Sequence, residues 1–303
     1  MNPPTHHIFP RRRSGDQPPT PRRWSTALRA ALRQRRVVAG LATIAFLCAT
    51  AWLGPLLSPW GFTELDYTAF LRPPSSQHWF GTDATGRDLY VTTMVGLRKS
   101  IVIGLLVAIL STAIAATVGS LAGYFLGLPD RTLMWLTDLM LVLPAFLVLA
   151  ILSPAIRDSG WIGFVLLLAA FMWMVTAKMV RGMTVSLTQR EYVLAARYMG
   201  ASAPRIIVSH ILPNMSSLLI VDATINVSTA IIAETSLSYF GFGLRPPDVS
   251  LGSLIAAGAG QALTHPWTFV FCTGLLILLV LAVNLVGGGL RDALAPGTRP
   301  PRA

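Results

Sequence analysis

The feature that most constrains this chain is a series of long apolar runs that carry no charge. Residues 37–57 and 101–129 contain no Lys, Arg, Asp or Glu over 21 and 29 positions. A helix needs about 20 apolar residues to cross a hydrocarbon core about 30 Å thick. Only 12% of the 303 residues are charged, whereas soluble domains have roughly 25%. These runs predict an all-α integral membrane protein.

The same pattern predicts six transmembrane helices. Their residues are 37–57, 101–129, 132–154, 161–177, 214–234 and 266–290. A cleaved signal peptide is the competing interpretation of the first run. We disfavour it because 36 residues precede the run and because Leu47, which precedes Cys48, is not the small residue expected at a lipoprotein cleavage site.

Basic residues are distributed unevenly among the segments that separate the spans. Of the 24 Lys and Arg residues, 18 lie at Arg131 or within residues 1–36, 178–205 and 291–303. An excess of Lys and Arg marks the cytoplasmic side of a membrane. We therefore predict cytoplasmic termini, with a disordered basic tail over residues 1–36 and a short tail over 292–303, and an extracytoplasmic loop over 58–100. The net charge of +11 is assigned to topology and to contact with membrane lipid, and we predict no nucleic-acid partner.

Residues 190–214 form the longest water-compatible segment in the second half of the chain. Helix formers lead to Gly200, which stands where a helix ends in a left-handed residue. Ser202 is predicted to cap a second helix, and Pro204 suits its first turn. Pro213 is predicted to stop that helix before the next apolar run. The sequence therefore predicts a cytoplasmic helix–glycine–helix hairpin.

One face of the first hairpin helix is predicted to be partly apolar and to carry small side chains that allow close packing. Its residues are Tyr192, Ala195, Ala196 and Met199, at helical spacing. An amphipathic helix of this kind is often offered to a groove on another protein. Packing against the chain's own spans is the alternative, and periodicity alone leaves both open.

Two segments on the predicted outer side contain turn residues. Gly81 and Gly86 allow turns. Between and after them lie charged residues that are predicted to form a local ion-pair cluster, namely Asp83, Arg87 and Asp88. Residues 237–258 are too rich in Gly and Pro to continue a helix, so we predict a re-entrant or interfacial piece packed against protein.

Three acidic residues interrupt the predicted spans, namely Asp138, Asp222 and Glu234. Acids within a membrane usually face a bundle interior or a watery path, so lining of a pathway and structural pairing both stay open for Asp138 and Asp222. Glu234, near the outer end of its span, is predicted to have a structural or gating role. No phosphate-binding loop, no His-Glu-x-x-His and no metal-ligand spacing occurs. A proteolytic carboxylate pair is disfavoured because neither Asp138 nor Asp222 has a matching sequence context. We predict no catalytic, cofactor or metal site.

Residues 190–214 resemble the EAA motif, the cytoplasmic loop of permease subunits of ABC importers. In that motif Glu-Ala-Ala is followed after three residues by Gly and, nine residues later, by Ile-x-Leu-Pro. The residues that match at this spacing are Ala195, Ala196, Gly200, Leu212 and Pro213. Leu194 and His210 depart from the Glu and Ile positions in a way typical of the dipeptide and oligopeptide branch, which Tyr192 and Arg197 also fit.

Three further stretches resemble the C-type permease of the same branch. They are residues 81–88, the segment made by Glu234 and 237–243, and residues 284–292. Gly288 and Ala295 depart from the acids that are commoner at their positions. The resemblance covers about residues 75–297 and leaves out the N-terminal tail.

The resemblance implies the six-helix fold of a type I ABC importer permease, with the domain over residues 97–291 and a coupling helix between spans four and five. It implies a non-catalytic, multi-pass subunit of the cytoplasmic membrane that imports di- or oligopeptides. The implied partners are a homologous B-type permease, one or two ABC ATPases that bind ATP and Mg, and an extracytoplasmic peptide-binding protein.

The resemblance also assigns roles to individual residues. Coupling to the ATPases is implied for Tyr192, Ala195, Ala196, Arg197, Gly200, Leu212 and Pro213. An outer gate or a contact with the binding protein is implied for Gly81, Asp83, Arg87, Asp88, Leu237, Phe240 and Gly243. We expect Gly200 to set the hairpin angle, and the face of Ala195 and Ala196 to occupy the ATPase groove.

Two alternative functions stay open. The same type of permease also serves nickel and other small solutes. From a different class, a self-contained secondary transporter would need no ATPase, and such proteins usually show internal repeats or broken helices. No convincing repeat relates the two halves of this sequence.

Overall fold

The computed structural model describes residues 31–294. Within that range the chain is helical, and the only strand-like pairing is an isolated bridge between Thr82 and Asp88. The α-helices are α1 Arg35–Leu57, α2 Leu89–Phe125, α3 Gly127–Val142, α4 Ala145–Leu152, α5 Gly160–Met172, α6 Met174–Thr188, α7 Glu191–Tyr198, α8 Ala203–Ile206, α9 Leu212–Tyr239, α10 Leu251–Ala259 and α11 Trp267–Leu294. A 3₁₀ segment, Ser153–Ser159, joins α4 to α5, and a π-helical segment, Ile207–Ile211, joins α8 to α9. The predicted tails fall mostly outside the described residues.

Four stretches are long and apolar enough to cross a membrane as single helices. They are α1, α2, the continuous stretch Ala203–Tyr239 and α11. Two bent pairs also pass the same test: α3 with residues 145–156, bent by 85°, and α5 with α6, bent by 47°. The predicted number of six spans is confirmed when each bent pair counts as one span.

The second span begins earlier than predicted. It starts at Leu89 and not at residue 101, because Asp88 caps it by accepting a 2.9 Å hydrogen bond from the Val91 backbone N–H. The residues predicted as the end of the outer loop are therefore the first three turns of α2.

The third span is broken where the sequence predicted a continuous helix over residues 132–154. Pro144 lacks an N–H, and Leu143 before it adopts an extended conformation, with φ −69° and ψ 132°. The fourth span continues past its predicted end at residue 177 and reaches Thr188 after a bend at Trp173.

Pro213 does not stop the helix that precedes it, so this prediction is wrong. The Leu212 backbone N–H donates to the Ile207 carbonyl, one residue further back than in an α-helix. The widened turn accommodates the proline ring without a break. The Asn214 side chain, 2.6 Å from the His210 carbonyl oxygen, satisfies a backbone acceptor there. The second hairpin helix and the fifth span are consequently one rod.

α2 is the centre of the bundle and packs along α6 and α9. Small residues of α2 permit the close approach of α6, since a Cβ atom at Gly123 would lie 2.7 Å from the Arg181 carbonyl oxygen. α1 packs against α11 in the same manner, because a Cβ at Gly40 would lie 2.8 Å from the Ala282 carbonyl oxygen.

The bundle has two distinct ends. We call the end that carries residues 190–214 the hairpin end, and α1 begins and α11 finishes there, where Gly289 lies against Val37. We call the opposite end, which carries residues 58–88 and 240–250, the loop end. There a Cβ at Gly54 would meet the Tyr90 hydroxyl at 2.8 Å.

Candidate functional site

The hairpin turns at Gly200 through a complete Schellman motif. The Ala201 N–H donates to the Ala196 carbonyl at 3.1 Å, and the Gly200 N–H donates to the Arg197 carbonyl at 3.0 Å. Gly200 has φ +82°, which confirms the predicted left-handed residue. A Cβ at this position would meet no atom within 4 Å, so the backbone conformation alone requires glycine. Ser202 occupies the position before α8, but its side chain makes no capping hydrogen bond.

The two alanines of the predicted docking face point in different directions. Ala195 is exposed, whereas Ala196 is 4% exposed and packs with Val193 inside the chain. The expectation that Ala196 faces an ATPase is therefore wrong. In the helix period Ala196 follows Val193 by three residues, so this pair is the anchored side of α7.

The exposed face of α7 is mostly apolar and carries one acid, Glu191, in its first turn. Tyr198 is 88% exposed and Met199 is 81% exposed, and Leu194 lies on the surface with them. Arg197 is also exposed, and Tyr192 is half-buried, with burial raising the pKa of its hydroxyl. Leu194, Ala195, Tyr198 and Met199 are defined here as the hairpin face.

A buried cluster fixes the hairpin to two spans. Val193 and Ala196 of α7 pack with Val180 of α6 and with residues from the second limb of the hairpin. Those residues are Ile206, Ile207, Ile211 and Met215. Leu212 is half-buried against the same cluster. Any displacement of α7 is thus carried directly to α6 and α9.

At the loop end, residues 81–88 form an ordered turn in place of the predicted ion-pair cluster. Gly81 and Gly86 both have positive φ, of +81° and +82°, as predicted for turn residues. Asp83 Oδ1 accepts hydrogen bonds from the backbone N–H groups of Thr85 at 2.7 Å and Arg87 at 3.0 Å. The predicted ion-pair cluster is wrong, because the Asp83 carboxylate accepts hydrogen bonds from backbone amides and does not pair with the Arg87 side chain.

Asp88 binds a histidine that sequence reasoning missed. The His78 Nδ1 atom lies 2.9 Å from Asp88 Oδ2, and its Nε2 atom lies 3.5 Å from Asp66 Oδ2. The Trp60 ring stacks on His78 with centroids 4.6 Å apart. Hydrogen bonds from Thr68 hold the pKa of Asp66 below its usual value. No motif joins these residues in the sequence, since the fold of the loop alone brings them together.

Glu234 is enclosed completely, with 0% exposure, at the end of α9. Its Oε1 atom accepts hydrogen bonds from the hydroxyls of Ser238 at 2.7 Å and Ser250 at 2.5 Å. Ser250 in turn caps α10 by accepting from the Ser253 N–H at 3.1 Å. A Cβ at Gly252 would lie 3.0 Å from Glu234 Oε2. One carboxylate therefore ties the outer segment and α10 to the fifth span.

The predicted outer-gate residues of this segment have different surroundings. Leu237 is buried, and Gly243 lies so close to Ser238 that its Cβ would meet the Ser238 Cβ at 2.6 Å. Phe240 is exposed and makes an edge contact with Phe146 of α4, with centroids 5.4 Å apart. Phe240 is therefore the most exposed of these three residues, and Gly243 is half-buried.

The two aspartates in the spans also differ. Asp222 is half-buried and accepts hydrogen bonds from Thr176 at 2.8 Å and Asn226 at 3.0 Å. Asp138 lies on the surface of the chain and forms an ion pair with Lys178. The structure thus gives Asp222 local polar partners and leaves Asp138 accessible. Within residues 31–294 no group of three His, Cys, Asp or Glu side chains is placed to hold a metal ion.

Comparisons with known proteins cover almost the whole chain. Residues 115–300 match the family model described as binding-protein-dependent transport system inner membrane component. Residues 22–74 match the model described as the N-terminal TM domain of oligopeptide transport permease C.

Curated relatives extend over similar lengths. The chain is 52% identical over 278 residues to the oligopeptide transport system permease protein OppC of Mycobacterium tuberculosis (strain ATCC 25618 / H37Rv), covering 91% of this chain and 96% of that protein. It is 34% identical over 276 residues to OppC of Bacillus subtilis (strain 168), covering 91% and 90%. It is 36% identical over 267 residues to a putative peptide permease protein of Brucella suis biovar 1, covering 88% of each.

Proposed function

Because this chain belongs to the family of inner membrane components of binding-protein-dependent transport systems, in the branch of oligopeptide permease C, we propose that it is the subunit that carries peptides across the cytoplasmic membrane. It is a multi-pass membrane protein and a permease subunit of an ABC importer. ATP hydrolysis is assigned to partner ATPases, which move the spans between inward-facing and outward-facing states.

The single observation that supports coupling most directly is the hairpin face. A water-exposed surface of Tyr198, Met199 and Leu194 is unusual for a helix outside the membrane. Burial of such a patch stabilises a complex with another protein, and aromatic and Met side chains are enriched at interfaces. We assign this face to the groove of an ATPase subunit.

The hairpin transmits motion because its second limb has no break. Ala203–Tyr239 is one stretch of 37 residues, which is about 55 Å long at 1.5 Å per residue. One end carries the buried hairpin cluster, and the other carries the Glu234 hydrogen bonds to Ser238 and Ser250. A push on α7 therefore tilts a rod whose far end holds the outer segment.

Contacts with the binding protein are assigned to the loop end. Ala84 and Thr85 of the ordered turn and the exposed Phe240 ring present surface there, whereas the predicted contact residues Gly81 and Asp88 are buried. Leu237 is given a structural role because it is buried, and Gly243 is given one because a side chain there would collide with Ser238. A homologous B-type permease is assigned as the second half of the pathway.

Uptake by the complete complex tests this function. Proteoliposomes that contain both permeases, the ATPases and the binding protein should accumulate labelled peptides of two to eight residues only when ATP is present inside. Uptake of nickel without uptake of any peptide would overturn the peptide assignment. Uptake of peptide by this chain alone, without ATPases, would indicate a secondary transporter.

Co-purification tests the hairpin face separately. Tyr198→Asp together with Met199→Asp should abolish recovery of the ATPase with the permease pair, because two charges would be buried in the interface. Tyr67→Asp is the control, since Tyr67 is also largely exposed, at 73%, but lies at the loop end. Equal ATPase recovery from both variants would contradict the assignment of the hairpin face.

A further inference from the structure

The ion pair of Asp138 and Lys178 is exposed although both residues belong to membrane spans. Asp138 is 57% exposed and Lys178 is 45% exposed. Asp138 lies in α3, the first part of a bent span, and Lys178 lies in α6, the second part of another. Both broken spans therefore contribute one charge to the same surface.

A second ion pair joins the same two helices, and its carboxylate is packed inside the chain. Arg181 Nε and Nη2 bind both carboxylate oxygens of Asp130, and that carboxylate is only 12% exposed. Arg181 follows Lys178 by less than one helical turn. Pairing of α3 with α6 is thus already provided by Asp130 and Arg181, and it does not require the open pair.

Lys178 lies inside the span rather than beyond its end. It follows Thr176 by two residues, and Thr176 donates a 2.8 Å hydrogen bond to Asp222 within α9. Two charges at this depth are costly when they face hydrocarbon. Non-helical backbone at membrane depth, as at Leu143 before Pro144, is tolerated where it is buried in protein or lines a water-filled cavity. An exposed ion pair on two broken spans suits a polar path better than a surface that faces hydrocarbon.

We propose that Asp138 and Lys178 form a subsite on the translocation pathway for the charged ends of a peptide. The Asp138 carboxylate accepts hydrogen bonds from the peptide α-ammonium, and the Lys178 ammonium donates to the peptide α-carboxylate. This inference rests on the proposed function in peptide import.

The chemistry of the pair favours a zwitterion over a metal ion. When the site is empty, each side chain neutralises the other. A peptide α-ammonium that displaces Lys178 leaves Asp138 with an opposite charge beside it, and a peptide α-carboxylate that displaces Asp138 does the same for Lys178. A divalent cation would find one carboxylate with an ammonium group beside it, which repels the cation.

Peptides with blocked termini test the subsite. One tripeptide would be supplied free, N-acetylated or C-amidated to the reconstituted complex, each at a concentration that saturates the binding protein. Asp138→Asn should lower uptake of the free and C-amidated forms about tenfold, because a hydrogen bond between two charges is lost, and should change uptake of the N-acetylated form little. Lys178→Gln should lower uptake of the free and N-acetylated forms and spare the C-amidated form.

The matched control is Asp248→Asn. It breaks the pair of Lys99 and Asp248, 2.9 Å apart and 24% and 28% exposed, at the loop end. Its ratio of free to blocked uptake should equal that of the unmodified complex. Equal losses for all three peptide forms in Asp138→Asn and Lys178→Gln would overturn the subsite and indicate structural pairing, and no loss in either variant would also overturn it.

A second measurement needs no variant. A peptide that carries a photoreactive phenylalanine, delivered by the binding protein, should label α6 near Val175 and Met179, which are exposed beside Lys178. Labelling of other segments without α6 would overturn the subsite while leaving peptide import intact. Failure of the proposed function would look different, since the unmodified complex would then take up no free peptide.

Discussion

Two carboxylates within the spans, Glu234 and Asp138, have opposite surroundings. Glu234 is sealed inside the chain and held by two serine hydroxyls, with no cation beside it. Asp138 is open and paired with a lysine. The first joins three segments that must stay together, and the second lies on a helix with few buried residues. The outer segment is therefore fixed to the fifth span, whereas most of the surface of α3 is left uncovered by this chain.

The contrast extends to whole elements. Buried residues of α10 are Leu251, Gly252, Ile255 and Gly258, almost half of that helix. α3 has 16 residues, against 9 in α10, but buries only Asp130 and Thr137. Phe240, at the start of the outer segment, contacts the Phe146 ring of α4, the helix that follows α3. The outer segment is accordingly held against α9 and is not a separate flexible loop.

The largest expected effect comes from removing the enclosed carboxylate. Glu234→Ala should lower the stability of the permease pair by about 3 kcal/mol or more, because two buried hydroxyls lose their acceptor and a cavity remains. Thermal unfolding of the purified complex in detergent measures this. Glu234→Gln keeps an oxygen for both serines and should lose less than half as much. Equal losses of stability in the two variants would show that the hydrogen bonds from Ser238 and Ser250 to Glu234 do not hold the outer segment.

Close packing at Gly252 gives the second effect. A Cβ there would lie 2.6 Å from the Thr235 Cα atom, so Gly252→Ala should destabilise the complex by about 1–3 kcal/mol. Gly274→Ala in α11 is the control, since a Cβ there meets nothing within 4 Å. If unfolding temperatures of the two variants coincide, the outer segment is less tightly held than the structure indicates.

Gly200 should produce a smaller change in stability and a larger change in coupling. Gly200→Val forces a β-branched residue to positive φ, at a cost of about 1–2 kcal/mol, and should lower peptide uptake per ATP hydrolysed. Gly200→Asn tolerates that conformation and should retain most of the coupling. Uptake and hydrolysis measured together in proteoliposomes distinguish the two. Normal coupling in Gly200→Val would show that the hairpin angle does not determine the coupling of ATP hydrolysis to uptake.

Sequence reasoning found the features that depend on a local pattern. Apolar runs predicted the spans, and the turn residues Gly81, Gly86 and Gly200 all have the predicted positive φ. Local conformation decides these features, since glycine adopts positive φ at no steric cost. The EAA-like spacing also located the hairpin, because all of its residues lie within one short segment, residues 190–214.

Features that depend on distant contacts were missed or misplaced. Asp88 binds His78 and caps α2, and nothing in residues 81–88 indicates either partner. Pro213 was expected to end a helix, but the π turn before it depends on packing of Ile207 and Ile211 in the hairpin cluster. Ala196 was placed on the wrong side of its helix because the faces that neighbouring helices cover are set by tertiary packing.

The smallest expected effect tests the open side of the comparison. Ile151 of α4 is exposed, so Ile151→Ala should change the stability of this subunit by less than about 0.5 kcal/mol. Leu168 of α5 is fully buried in a cluster that includes Leu149 and Phe164. Leu168→Ala should therefore lower the stability of the subunit by about 2–5 kcal/mol. Thermal unfolding compares the two deletions of similar side chains. A large loss for Ile151→Ala in the assembled pair, but none in the isolated subunit, would show that the partner permease covers α4 and that the open surface begins at Asp138.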